Sequence, residues 1–453
     1  MSMEHVVIVG NGVAGITAAR TIRQLSGRRI TVVSGESRHF YSRPALMYIF
    51  MGHMTYESTK PYEDWFWEKN RIELKQAYVE KIDSAGKMVL FRDGSPPLRY
   101  DTLLLATGSQ SSFFGWPGQD LDGVQGFYGL PDLEAMERNT RRARRAVVVG
   151  GGLIGVEVAE MLLSRGIHVT YLVREPAFAT HFLPREEAEM VSGHVREHGV
   201  DLRHETELKE LLGDSGGRVR AVITSKGEEI SCDFVALAVG VKPNVDLART
   251  SGIETNRGIL VDDRLATNAA GIFAAGDCVE LRTPRPGRRA IEPVWYTGRM
   301  MGEVAGRNIC GESASYDPGI WFNSAKFFGI EYQVYGEIRP QLPETHETLF
   351  WMRGDRRKSI RIDYEKQGGK VIGFNLMGVR YRHEVCESWI AAGTSIREVL
   401  ADLGAANFDP EFFRQYESDM IEVYNRTHPE SPVILRRRKS LWSALQVLAS
   451  RKP

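Results

Sequence analysis

The stretch Val6-Val7-Ile8-Val9-Gly10-Asn11-Gly12-Val13-Ala14-Gly15 reads as an apolar strand, a tight turn and the opening of a helix that continues from Ile16 to Leu25. Its three glycines have separate tasks. Gly10 permits the turn, Gly12 lets the backbone approach a pyrophosphate, and Gly15 lets the helix pack closely on the strand, so that phosphates sit at the positive end of the helix dipole. Val13 and Ala14, between the last two glycines, belong to the same cradle. A single fingerprint of this kind is weak, because glycine-rich turns between strand and helix also serve packing alone.

About 140 residues later the pattern returns in the same context. Gly150-Gly151-Gly152-Leu153-Ile154-Gly155 follows Ala146-Val147-Val148-Val149 and precedes a helix through Glu157, Glu160 and Leu163. Two fingerprints, each between strand and helix, predict two dinucleotide sites in one chain. A third feature is the strand Gly271-Ile272-Phe273-Ala274-Ala275, which ends on Gly276-Asp277 after Thr267. Alone it is a strand-to-loop junction with a turn-forming Asp.

Length and composition fit this reading. The 453 residues suffice for two or three domains with separate cores. The 58 basic and 58 acidic residues balance, which gives no global attraction to nucleic acid. No apolar run reaches the roughly 18 residues of a bilayer span, and Met1 to Val9 flows straight into a strand, so a cytoplasmic protein is expected. Cys232, Cys278, Cys310 and Cys386 lie far apart, without the local spacing of a redox disulfide, a zinc site or an iron-sulfur site. No metal is expected.

Together these motifs resemble the FAD-dependent pyridine nucleotide-disulfide oxidoreductase superfamily, in particular its ferredoxin, rubredoxin and nitrite reductase branch. The resemblance covers about residues 4 to 312 and implies an α/β fold, with two Rossmann-like dinucleotide-binding domains, one inserted in the other, and an α+β C-terminal domain. It assigns FAD to the first fingerprint, NADH or NADPH to the second, and the flavin ribityl chain to Asp277, which follows Gly276. Two linking motifs match the crossings between nucleotide domains: Ala106-Thr107-Gly108, and Ala238-Val239-Gly240-Val241-Lys242-Pro243-Asn244. The expected boundaries are 1–113 and 240–312 for FAD, 114–239 for NAD(P)H, and 313–453 for the C-terminal domain.

Further site residues are implied by the same resemblance. In Phe40-Tyr41-Ser42-Arg43-Pro44-Ala45-Leu46, Arg43 is the candidate contact to the FAD ribose and pyrophosphate side, and Glu36, after the strand Ile30 to Val33, is the candidate for the adenosine ribose hydroxyls. Related oxidases and coenzyme A disulfide reductases carry a reactive Cys near this segment, and here there is none. Many ferredoxin reductases carry a Lys shortly after the proline, where this chain has Met47-Tyr48. Glu157 matches a Glu that orients the nicotinamide. Trp295 would lie near the isoalloxazine at the start of a flavin-facing helix, and Trp321 in Trp321-Phe322-Asn323-Ser324 would be an aromatic cover. Coenzyme choice stays open. Arg174 suits a 2'-phosphate, whereas Glu175 opposes one.

The chemistry implied is hydride transfer from NAD(P)H to FAD, then electron transfer to a separate acceptor, with a small acidic iron-sulfur protein as the expected partner. Arg282, Arg285, Arg288 and Arg289 form a candidate docking loop for it. Alternatives are an NAD(P)H:quinone or NAD(P)H:oxygen oxidoreductase, and a redox-sensing flavoprotein resembling apoptosis-inducing factor. Residues 436–452, basic at both ends around Leu441, Trp442, Leu445 and Leu448, form an amphipathic pattern suited to peripheral membrane contact. Related C-terminal domains imply a homodimer.

Overall fold

The computed structural model describes residues 4–409, 411–412 and 414–436. The chain divides into two compact units. The first runs through Phe178 and again from Val195 to Gly319; the second comprises Ala179–His194 and the chain from Ile320 onward.

The first unit contains two parallel five-stranded sheets of matching plan. In one, the order is Ile272–Ala274, Thr102–Leu105, His5–Val9, Arg29–Ser34 and Ile72–Gln76. In the other it is Val124–Gln125, Phe234–Leu237, Arg145–Val149, His168–Leu172 and Asp201–Arg203. Each central strand leads directly into its glycine turn and helix, Val13–Leu25 or Leu153–Ser164. Val6 to Val9 and Ala146 to Val149 are buried throughout, as parallel strands covered on both faces must be. The duplication extends further. In both halves a three-stranded antiparallel meander follows the third strand, over Val79–Asp83, Met88–Phe91 and Leu98–Arg99 in one and Leu208–Gly213, Val219–Thr224 and Glu229–Ser231 in the other. One difference is the fifth strand, which comes last in the first sheet but ahead of the central strand in the second.

The halves are joined by a two-stranded antiparallel link, Ser109–Ser111 with Val241–Pro243. The crossing motifs lock on each other beside it: the Thr107 hydroxyl donates to the Asn244 carbonyl at 2.7 Å, and the Asn244 N–H donates to the Gly108 carbonyl at 2.9 Å.

The strand expected from Leu98 to Leu105 is broken in two. Leu98–Arg99 pairs antiparallel in the meander, and Thr102–Leu105 pairs parallel with the central strand. The break falls where the Asp101 carboxylate accepts the His5 backbone N–H at 2.7 Å.

The second unit is a five-stranded antiparallel sheet in the order Phe322–Phe327, Ile330–Gly336, Val371–Met377, Ser359–Glu365 and His346–Met352. Ile360, Ile362, Phe374 and Leu376 pack one face against Cys386, Val399, Met420 and Tyr424 from the helices His383–Ala392, Ile396–Ala401 and Glu417–Thr427. The opposite pleat carries Arg361, Asp363 and Asn375, and it explains why Ala179–His194 groups with this unit although sequence reading placed that segment in the second nucleotide domain. Arg361 donates to both Glu187 oxygens, at 2.8 and 2.9 Å, and to Glu186 at 2.7 Å, while the Asn375 amide donates to Glu187 at 3.1 Å. Glu187 is fully buried, and a buried carboxylate requires such pairing. Alternating hydrophobicity does not show this, because the partner lies 174 residues away. The amphipathic tail expected over 436–452 lies outside the described residues apart from Arg436.

Candidate functional site

Both glycine turns have the geometry of a pyrophosphate cradle. Gly10 adopts φ +110° and Gly150 φ +112°, and a Cβ on either would strike the carbonyl oxygen of Ala106 or Ala238, the first residue of each crossing motif. A Cβ on Gly15 or Gly155 would strike the carbonyl of Gly10 or Gly150. By contrast, nothing lies within 4 Å of the Cβ position at Gly12 or Gly152. The middle glycine of each fingerprint therefore faces open space, while the outer two are fixed by backbone contact. Neither helix that follows has a side-chain N-cap or an acid in its first turn, so the positive end of its dipole and its first N–H groups are left for an anion. Val13, Ala14, Leu153 and Ile154 form those first turns. The residues present fit two dinucleotides.

Around the first cradle, Glu36 and Arg43 come together. Arg43 donates to the two Glu36 oxygens at 3.1 and 2.8 Å, the Leu130 N–H donates to Glu36 at 2.7 Å, and the Tyr41 hydroxyl donates to the same carboxylate. Burial alone would raise the Glu36 carboxyl, but the bonds and charge of Arg43, with Tyr41 and Leu130, hold it below the ordinary value. Arg43 also donates to the Tyr128 carbonyl at 3.1 Å and lies 4.7 Å from the Tyr128 ring centre. The Tyr128 hydroxyl donates to Asp277 at 3.2 Å and accepts the Ser109 N–H at 3.0 Å. Burial raises the Asp277 carboxyl, and Tyr128 and Arg43 counter part of that rise. Glu36, Arg43, Ser109 and Asp277 thus form one connected group, with Tyr128 at its centre.

Sequence reading missed Tyr128, which no local signal marks. It also missed Tyr171, whose hydroxyl donates to the Gly150 carbonyl at 2.8 Å and braces the second turn. A third omission was legible. Gly298, Gly302 and Gly306 recur at four-residue spacing on the helix Trp295–Ile309, and a Cβ on them would meet Val13, Ala14 or Thr17, and Ala18 or Thr21 of the cradle helix. Gly276 completes this packing: a Cβ there would lie 2.9 Å from Cβ of Ala14. Trp295 opens the long helix and is 39% exposed.

At the second cradle, Glu157 stands in the helix Leu153–Ser164, one turn beyond its start. Arg174 and Glu175 follow the strand His168–Leu172, and Arg174 donates to Glu175 at 2.9 Å. Glu175 is the more buried of the two, and its other oxygen lies 3.5 Å from the Cβ position of Gly151. Gly240 sits at φ +103°, where the chain re-enters the first half. Trp321 belongs to the second unit, where its carbonyl accepts the Gly336 N–H at 2.7 Å.

Two other groups separate structure from reactivity. Cys278 is fully buried, with its thiol 3.4 Å from the Ala275 carbonyl, and burial raises its pKa; the Cys232 thiol is pushed up by burial to about 12. Neither is a ready nucleophile at neutral pH. In the basic loop, Arg282 pairs with Glu254, Arg285 with Asp317 at 3.5 Å, and Arg288 with the buried Glu292 at 2.6 Å. Three of its four arginines are therefore engaged within the chain. Among the described residues no cluster of metal ligands occurs, and no helix is long and apolar enough to cross a membrane.

A family model described as pyridine nucleotide-disulphide oxidoreductase matches residues 4–302. The ferredoxin reductase component of a chlorobenzene dioxygenase from Cupriavidus sp. is 32% identical over 368 residues, covering 79% of this chain and 88% of that protein. A nitrite reductase [NAD(P)H] from Bacillus subtilis is 29% identical over 383 residues; the match takes in 83% of this chain but only 46% of that protein, about half its length. Among solved structures, a NAD-dependent persulfide reductase from A. fulgidus superposes with a TM-score of 0.81 at 28% identity, covering 94% of this chain and 83% of that one.

Proposed function

The chain belongs to the pyridine nucleotide-disulphide oxidoreductase family, and from that premise we propose that it passes hydride from NADH to FAD and electrons onward to a small iron-sulfur protein. The observation that carries this reading is the pair of matching cradles within one unit, joined by the link Ser109–Ser111 with Val241–Pro243.

Bound FAD accepts a hydride and releases electrons singly, which turns a two-electron donor into a one-electron source. The protein's own contribution is position. Gly10 to Gly15 hold the FAD pyrophosphate, Glu36 and Arg43 address the adenosine ribose side, and Asp277 is held toward the ribityl chain by Tyr128. Trp295, which opens the helix Trp295–Ile309, would lie beside the isoalloxazine. Gly150 to Gly155 hold the nicotinamide dinucleotide, and Glu157 orients its reactive end. Glu175 favours NADH. Its carboxylate suits ribose hydroxyls and repels a 2'-phosphate, while Arg174 is already committed to it.

The acceptor follows from exclusion as well as likeness. The segment Phe40 to Leu46 has no cysteine, and the buried Cys278 thiol is raised, so a cysteine-based disulfide or persulfide cycle lacks its nucleophile here. A cytoplasmic location, a homodimer and membrane contact through 436–452 complete the proposal; sedimentation of the FAD-loaded protein, with and without anionic vesicles, tests the last two.

The decisive experiment is an anaerobic visible titration of the FAD-loaded protein with NADH and with NADPH. NADH is expected to bleach the flavin band near about 450 nm, and an oxidised ferredoxin or rubredoxin to restore it rapidly. If neither coenzyme bleaches the band, the reductase reading fails. If only quinone or oxygen restores it, the iron-sulfur partner is wrong.

A further inference from the structure

A basic concavity, separate from both glycine cradles, lies beside the link between the two nucleotide-binding halves. A cavity of about 700 Å³ is walled by Gln110, Lys242, Arg249, Asn256, Arg257 and Arg289. Its four cations arrive from four different segments: the link strand Val241–Pro243, the helix Asp246–Thr250, the loop after that helix, and the loop ahead of Trp295–Ile309. Only one carboxylate, Asp246, shares the wall, and it pairs with Arg249 at 3.2 Å. Among the described residues, the side chains of Lys242, Arg257 and Arg289 make no ion pair. Four cations against one acid in a concavity focus positive potential more strongly than the same charges spread on a convex surface.

The shape distinguishes between partners. A protein carrier needs a broad surface, whereas a concavity of this size falls within the roughly 300–1,000 Å³ range of small-molecule sites. The neighbouring arginines that could have widened the patch, Arg282, Arg285 and Arg288, are neutralised by Glu254, Asp317 and Glu292. What remains is compact, strongly basic, and backed by Gln110 as a further polar contact. Neither glycine fingerprint contributes to it.

We propose that this cavity is a binding site for a diphosphate-bearing small molecule, distinct from the FAD and NAD(H) sites. Gln110 and Lys242 are direct partners across the two-stranded link, and both line the cavity. An occupant held by Lys242, Arg257 and Arg289 therefore spans from the link to the loop that leads into the long helix, and its binding stiffens the link.

The test uses the FAD-loaded protein saturated with NAD+, so that both glycine cradles are filled. Calorimetric titrations with inorganic pyrophosphate and with ADP, at constant ionic strength, are compared between the natural chain and the double variant R249Q/R257Q, neither position being in the flavin or nicotinamide machinery. One saturable site is expected, weakened about tenfold or more in the variant, as loss of a charged hydrogen bond implies. ADP binding more tightly than pyrophosphate marks a nucleotide as the source; equal affinity marks the phosphates alone. Hydrogen exchange at Ser109–Ser111 and Val241–Pro243 should slow on binding. FAD content of the variant reports that it is folded. No binding, unsaturable binding, or equal affinity in the variant overturns the proposal. It is also overturned if pyrophosphate and ADP fail to bind while the variant raises KM for the iron-sulfur carrier, which would make the cavity part of a protein docking surface. The readout is binding rather than turnover, so its failure leaves the reductase reading untouched.

Discussion

Tyr128 shows how one hydroxyl can organise a cofactor site. It donates to Asp277 and accepts from the Ser109 N–H, so it orients the carboxylate and fixes the crossing segment Thr107 to Ser109 together. Tyr128→Phe keeps the ring beneath Arg43 but removes both bonds. FAD should then dissociate about tenfold more readily, in line with one or two buried hydrogen bonds, as read from flavin fluorescence on dilution. Unchanged affinity would mean that Asp277 is placed by the backbone alone. A second residue gives a pH signature. Burial pushes the Asp363 carboxyl up to about 6 from 3.8, against the Thr348 hydrogen bond and Arg361, and with Glu187 and Glu186 adding to the rise. The folded state thus holds this proton more tightly than the unfolded chain does. The stabilisation is complete below the ordinary value and is lost as pH rises through about 6. Asp363→Asn should remove that dependence: from about pH 4 to about pH 7 the variant gains on the natural protein by up to about 3 kcal/mol, seen as converging and then crossing melting curves. Asp277 was legible as the end of a Gly-Asp turn. Tyr128 and Asp363 were not, since their partners are set by tertiary contacts that carry no local pattern.

At the scale of elements, the cradle helix Val13–Leu25 owes its position to the helix Trp295–Ile309, against which it lies almost backbone to backbone. Gly302 is the tightest point. A Cβ there would sit 3.0 Å from both the Ala14 carbonyl carbon and Cβ of Thr17, and closer still to the Ala14 oxygen. Gly302→Val must push the helices apart, at a cost of about 1–3 kcal/mol typical of overpacking, and it displaces the turn proposed to hold the pyrophosphate. Lower thermal stability should therefore accompany loss of bound FAD. A stable variant with full FAD would show that the helices can slide without moving the cradle. The spacing of Gly298, Gly302 and Gly306 made this packing legible, as the paired glycine turns made both helices legible. Element boundaries depended on partners instead. Leu98 to Leu105 reads as one apolar strand, yet Asp101 is claimed by the His5 N–H and the segment splits between two sheets. Likewise Arg185–Glu197 follows a nucleotide-domain strand in sequence, but Glu187 is captured by Arg361 of the second unit.

Across the whole molecule, the two halves of the first unit use one plan and differ at the turn after the second strand, where an adenosine ribose is proposed to bind. Each places a glutamate just after its second strand, and each pairs that glutamate with an arginine: Glu36 with Arg43, and Glu175 with Arg174. In the first half both partners are partly buried and further held by Tyr41 and Leu130, a fixed arrangement suited to a resident cofactor. In the second half Arg174 is 73% exposed and Glu175 alone turns inward toward Gly151, which suits a coenzyme that comes and goes. On the proposed reading, coenzyme choice then rests on a single carboxylate. It would accept ribose hydroxyls and repel a 2'-phosphate, and it occupies the arginine that could otherwise bind one. Glu175→Ala should act on all three effects at once, raising KM for NADH and releasing Arg174 toward the phosphate of NADPH. The ratio of kcat/KM for NADH over NADPH, measured by anaerobic flavin reduction, is expected to fall by about 100-fold, equivalent to about 2.7 kcal/mol of discrimination. Adding Arg174→Ala should bring NADPH activity most of the way back down to its starting level, because the gain depends on the freed guanidinium. A ratio that does not move would place ribose recognition outside the Val173-Arg174-Glu175 turn and would break the parallel between the two halves.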